Sequence, residues 1–149
     1  MNKKVMLIAD DVEMNVTVIK RFFSKEFDVL VASNGVEVME LLEKNQVDIL
    51  ILDIIMPEKN GIEVLQEMKK HQEYSDIAVF VATSTKEKTE RMALEYGADD
   101  IVSKPYDPVV IKRRIENIMT KKELQKKVSA METYIDSLQN IVDSMRQMM

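Results

Sequence analysis

An α/β fold built on one doubly wound, five-stranded parallel sheet in three layers is predicted by two features of the sequence. Short apolar runs alternate with helix-length amphipathic stretches, and acidic or hydroxyl residues stand just past the ends of those runs. The first run is Lys4 to Ala9, followed by Asp28 to Ala32, Val47 to Leu52 and Ile77 to Ala82; a weaker fifth strand is placed at Asp100 to Ser103. Each is too short for a helix and rich in Val, Ile or Leu. Their near-continuous hydrophobicity, without alternation, means that both sheet faces are covered, as parallel crossover units require. Between them, apolar residues recur at three- and four-residue spacing, as in Val36, Met39, Leu42 and in Ile62, Leu65, Met68. Local signals mark the boundaries. Asn34 caps a helix whose third residue, Glu37, completes a capping box, and Asp107 places a cap before Pro108 in a first turn. Gly97 ends the preceding helix.

Composition narrows the function. The 149 residues, 46% of them hydrophobic, suffice for one ordinary core and an appendage. A net charge of -5 argues against a surface shaped to neutralise nucleic-acid phosphates, and the basic run Lys112, Arg113, Arg114, Lys121, Lys122, Lys126 and Lys127 reads as a solvated helix face. The absence of Cys removes disulfides, thiolate nucleophiles and Cys-ligated zinc together. The apolar run after Lys3 and Lys4 stops at Asp10, too early for a signal peptide, and no later run reaches the length of a membrane span. The expectation is a cytoplasmic protein without a membrane segment. His71, the only histidine, sits near a helix end and reads as a dipole partner or a solvated residue.

In a doubly wound sheet, ligands lie beyond the carboxyl ends of the strands. Asp10 and Asp11 end the first strand, Asp53 the third, Thr83 and Ser84 the fourth, and Lys104 follows the fifth. Singly, each aspartate reads as a cap or a loop acid, and Lys104 as a surface lysine. Together they converge on one rim, where three carboxylates repel unless a cation sits among them. Oxygen ligands favour a hard ion, and Mg2+ suits the site because it keeps several waters and bridges to a phosphate oxygen. Lys104 supplies a positive point charge, Thr83 a hydroxyl donor, and Asp53 the nucleophile for phosphoryl transfer.

These residues carry a resemblance. Leu7-Ile8-Ala9-Asp10-Asp11, Leu50 through Pro57 with Asn60-Gly61, Ala82-Thr83-Ser84, Gly97-Ala98-Asp99-Asp100 and Lys104-Pro105-Tyr106 together resemble the receiver domain of two-component response regulators, from residue 4 to about residue 120. The resemblance implies a flavodoxin-like sheet, with Asp53 as phosphoacceptor and Asp11 as a direct Mg2+ ligand. It further implies that Asp10 acts largely through water, that the Ile55 carbonyl is another ligand, and that Thr83 and Lys104 bind phosphoryl oxygens. It implies a cis Lys104-Pro105 peptide, and as partner a histidine kinase or phosphotransfer protein. The sequence departs from the family at Ile101, where an aromatic usually stands three residues before the lysine. Ile55 and Thr85, which in the family flank the path of attacking water, lack groups to orient it, so slow self-dephosphorylation is expected.

From Val109 to Met149 there is neither Gly nor Pro, and Leu124, Val128, Met131, Ile135, Leu138, Val142, Met145 and Met149 follow one another at 4-3-4-3-4-3-4 spacing. That seam reads as a coiled coil, and β-branched Val128, Ile135 and Val142 alternating with unbranched Leu124, Met131, Leu138 and Met145 favour a parallel homodimer. The expected division is a receiver domain at 1–120 and a coiled-coil helix at 121–149 leading to an output domain beyond it, where any enzyme activity would lie. Two other readings compete with this one. An aspartate-nucleophile phosphatase resembling the haloacid-dehalogenase family needs a second acid where Ile55 stands, and an interaction scaffold with a vestigial acidic site would leave the coiled coil as the working part.

Overall fold

The computed structural model describes residues 3–84 and 87–149, with residues 87 and 88 described by backbone alone. The elements alternate: β1 (Lys4–Ala9), α1 (Glu13–Phe23), β2 (Phe27–Ala32), α2 (Gly35–Lys44), β3 (Ile49–Asp53), α3 (Gly61–Lys69), a short 3-10 turn (Gln72–Tyr74), β4 (Ala78–Thr83), α4 (Glu87–Glu95), β5 (Asp100–Ser103) and α5 (Pro108–Gln147). The chain divides into two compact units, Met1–Ile118 and Met119–Met149.

In the first unit the strands form one parallel sheet in the order β2-β1-β3-β4-β5. The chain runs outward from β1 to β2 and then crosses back to β3 on the other side of β1. The carboxyl ends of β1 and β3 therefore flank the point where the winding reverses, the crevice in which such sheets bind ligands. Every residue of β3 and β4 is buried, in keeping with helices on both faces. One cluster joins Leu7, Leu50, Leu52, Val79 and Val81 to Val38 and Leu42 of α2, Val64, Leu65 and Met68 of α3, and Ala93 of α4. The alternate residues Met6, Ile8, Ile49, Ile51 and Phe80 are buried too, as are Ile19 and Phe23 of α1 and Ile111 and Ile115 of α5.

Termini and turns follow local chemistry. Asn34 Oδ1 accepts the Glu37 N–H at 2.9 Å as expected, but the Glu37 carboxylate does not close a capping box. It accepts instead from Ser33 Oγ at 2.6 Å and Asn34 Nδ2 at 3.1 Å. The complete box belongs to α3, where Asn60 and Glu63 satisfy each other's backbone N–H groups. Asp107 Oδ1 accepts the N–H groups of Val109 and Val110 at the start of α5. Gly97, at a φ of 103°, closes α4 with the paired bonds Gly97 N–H to Leu94 O and Ala98 N–H to Ala93 O, a left-handed exit that suits a residue without Cβ.

The loop after β3 is tied at close range. The Gly35 N–H donates to Lys59 O and the Gly61 N–H to Ile54 O, each at 2.9 Å. A Cβ at Gly61 would lie 2.5 Å from the Asp53 carbonyl oxygen. In the second unit, seam residues from Leu124 to Met149 are exposed in the single chain. Ser129, Thr133 and Ser137 lie off that seam, where the Thr133 and Ser137 hydroxyls bond carbonyls one turn back. Among the described residues no helix is long and apolar enough to cross a membrane.

Gly61→Ala is expected to destabilise the protein by about 1–3 kcal/mol, because the backbone that meets the added methyl can yield only by shifting β3. A urea unfolding curve with an unchanged midpoint would contradict this.

Candidate functional site

The sheet register delivers the acidic residues to one edge. Ala9 pairs with Leu52, so Asp10 and Asp53 each stand one step past that pair. Thr83 pairs with Ser103, so Lys104 leaves the sheet beside the end of β4, and its N–H donates to Thr83 O at 3.2 Å. One carboxylate oxygen from each of Asp10, Asp11 and Asp53 lies within 4.8 Å of the others. Asp10 and Asp53 are buried and Asp11 is exposed.

Lys104 holds the two buried acids together. Its Nζ donates to Asp53 Oδ2 at 2.7 Å and stands 3.4 Å from Asp10 Oδ2. Burial pushes the Asp53 carboxyl above its ordinary value of 3.8; the Lys104 ammonium opposes that shift without cancelling it, and the Asp10 charge adds to it. Burial alone would lower the Lys104 pKa, but the hydrogen bond and charge of Asp53, reinforced by Asp10, raise it overall. The other Asp53 oxygen accepts the Ile55 N–H at 3.2 Å. Ile55 itself is 72% exposed, with its aliphatic side chain at the rim.

Asp10 is the most heavily bonded member. Oδ1 takes the Val12 N–H at 2.9 Å, while Oδ2 takes the Tyr106 hydroxyl at 2.9 Å and Asn15 Nδ2 at 3.2 Å. Sequence reasoning passed over Asn15 and gave Tyr106 no part in the site. The only signal at hand was nearness in sequence, since Tyr106 stands two residues beyond Lys104. The Lys104-Pro105 peptide is cis, as the resemblance implied.

Thr83 is buried at the end of β4 and Ser84 is exposed beside it. Thr85 lies outside the described residues. Ile101 pairs with Val81 and packs, partly buried, against the core cluster. An aliphatic side chain thus fills the position at which the family usually carries an aromatic.

The family description for the response regulator receiver domain matches residues 6–116. The chain belongs to that family. Response regulator SaeR of Staphylococcus aureus is 37% identical over 117 residues, which cover 78% of this chain and 50% of SaeR. The chain therefore spans about half the length of the curated relatives it matches. Two solved structures share the receiver fold. A CheY-like receiver domain protein from Methanospirillum hungatei JF-1 superposes with a TM-score of 0.75 at 22% identity, over 83% of this chain and 99% of its own. The receiver domain of Ssk1 from Saccharomyces cerevisiae, solved with the histidine phosphotransfer protein Ypd1, gives 0.69 at 21% identity over 76% and 87%. The chain thus carries the receiver domain of a two-component response regulator.

The donor set of this receiver domain fits a hard divalent cation. It offers three clustered carboxylates, two of them buried, and no nitrogen or sulfur ligand within the cluster.

A carboxyl whose folded pKa is raised favours folding below the ordinary carboxylate range and opposes it as pH rises through the raised value. Without divalent cations, Asp53→Asn should therefore melt above the unsubstituted protein near neutral pH, with roughly 2–8 °C gained for each kcal/mol relieved. The gap should close as pH falls toward 3.8. Equal melting temperatures across that range would show that the buried carboxylate is not penalised.

Proposed function

We propose that this receiver domain is a phosphorylation-dependent switch, which accepts a phosphoryl group on Asp53 from a histidine kinase or a phosphotransfer protein with the help of Mg2+. The observation that carries this reading is the grouping of Asp10, Asp11 and Asp53 around the Lys104 ammonium at the winding reversal. Asp11, Asp53 and the Ile55 carbonyl would hold Mg2+ directly and Asp10 through water. When bound, the cation neutralises charge on the transferring phosphoryl group.

The chain's own residues supply the rest. The Asp53 carboxylate attacks the phosphorus of a phosphohistidine, the P–N bond breaks, and the leaving imidazole keeps the bonding electrons and takes up a proton. Lys104 moves from Asp53 to the phosphoryl oxygens, where its charge is worth more, and the Thr83 hydroxyl donates to another of them. Burial of Asp53 keeps bulk water from the nucleophile. The aliphatic Ile55 offers no group to aim a hydrolytic water, in keeping with a long-lived acyl phosphate. The cognate partner class follows the Ssk1 receiver, which was solved on a phosphotransfer protein.

The helical unit would act as a parallel homodimer seam. Across such a pair, Lys127 of one copy faces Glu132 of the other, and Leu124, Val128, Met131, Ile135, Leu138, Val142 and Met145, all exposed in the single chain, become buried. The phosphorylation signal would reach the paired helices through α5, which belongs to both units. A scaffold with an inert site is the competing reading; the site's intact charge set argues against it.

Incubation with Mg2+ and a small-molecule phosphoryl donor is expected to give a single phosphoryl adduct in the intact-protein mass, absent in Asp53→Asn and after chelation, and surviving well beyond seconds. No adduct in the unsubstituted protein would leave the scaffold reading standing. For the seam, Val142→Cys in a chain that has no native cysteine should form a covalent dimer under mild oxidation. Ile135→Asp should abolish the dimer in sedimentation while leaving the adduct unchanged. A monomeric unsubstituted protein at micromolar concentration would overturn the pairing.

A further inference from the structure

Three donors share one oxygen of Asp10. The Tyr106 hydroxyl at 2.9 Å, Asn15 Nδ2 at 3.2 Å and the Lys104 ammonium at 3.4 Å all point at Oδ2, although a carboxylate oxygen has only about two lone-pair directions to give. Lys104 is bound more closely to Asp53, and Asn15 reaches the same oxygen from the first turn of α1. Tyr106 is a neutral phenol that reaches the site from beyond β5, half-buried, with the positive end of its O–H dipole on the Asp10 carboxylate. The hydrogen bond therefore does for Asp10 part of what a cation would do.

We propose that Tyr106 is a positioning residue that competes for Asp10 with the water through which that residue would meet Mg2+: its hydroxyl satisfies the buried carboxylate in the cation-free domain and so weakens cation binding. The inference rests on the magnesium reading above and adds to it a residue that sets the affinity of the site. A phenol keeps its proton at neutral pH, so the group is a donor. Removal of the hydroxyl would leave Asp10, 1% exposed, short of a donor and more negative toward an incoming cation.

The direction of the effect separates this role from simple damage, since a loosened site binds Mg2+ less tightly. Calorimetric titration of Tyr106→Phe should give an Mg2+ dissociation constant about three- to tenfold lower than that of the unsubstituted protein, a fraction of what a hydrogen bond to a charged group contributes. The Mg2+ concentration for half-maximal phosphorylation should fall by the same factor. In an Asp10→Asn background the Tyr106→Phe effect should vanish. Unchanged or weaker affinity in Tyr106→Phe overturns the inference alone, whereas an unsubstituted protein that takes up no Mg2+ overturns the functional reading as well. If Tyr106→Phe fails to fold, ring-labelled tyrosine NMR of the unsubstituted protein decides. The Tyr106 resonances should move on Mg2+ saturation while those of Tyr134 stay, and Tyr106 resonances that do not move overturn the inference.

Discussion

Two carboxylates buried side by side are the constraint around which this domain is arranged. Asp10 and Asp53 leave water for the end of a hydrophobic sheet, and nothing about that burial is favourable by itself. The Lys104 ammonium, lying between them, makes it tolerable, and each backbone feature nearby serves the same end. Val12 and Ile55 turn their N–H groups onto the two acids, and the parallel register brings β1, β3 and the exit of β5 to one rim. The compensation is incomplete, as the raised Asp53 pKa records. The charge left uncompensated there is of the sign and ligand type that suits a hard cation.

Most of the fold was legible because its signals are local or periodic. β1 and β5 fall on the expected bounds, and the other strands shift by no more than two residues at either end. Five short apolar runs, with helices between, leave little choice but a parallel sheet, although only its inner strands β1, β3 and β4 are largely buried and the edge strands β2 and β5 are partly open. What the sequence hid was competition among equivalent partners. Glu37 had a backbone N–H and the Ser33 hydroxyl within reach, and spacing alone does not rank them. Asn60 and Glu63 formed the box that Asn34 and Glu37 were expected to form.

The site divides in the same way. Asp10, Asp11, Asp53, Thr83 and Lys104 stood out because strand ends in such a sheet point one way, and the structure brings them to one rim. Tyr106 and Asn15 were harder to see. Their contribution is to a carboxylate rather than to a ligand, and an amide on a helix or a phenol after a proline has many commoner uses. Ile101 was read as a departure, and its packing shows what replaces the aromatic: a side chain that fills space on the core cluster and carries no hydroxyl.

The loop after β3 also limits how the domain can be rebuilt. Lys59 O receives the first N–H of α2, Ile54 O receives that of α3, and Glu58 between them holds a φ of 64°, a left-handed conformation that costs a side-chain-bearing residue about 1–2 kcal/mol. Both helices therefore start from the same seven-residue segment, 54–60, that follows Asp53. Chimeras that join receivers of different origin would keep their geometry only if the crossover spares this segment and the starts of both helices, which have to be inherited together as one cassette.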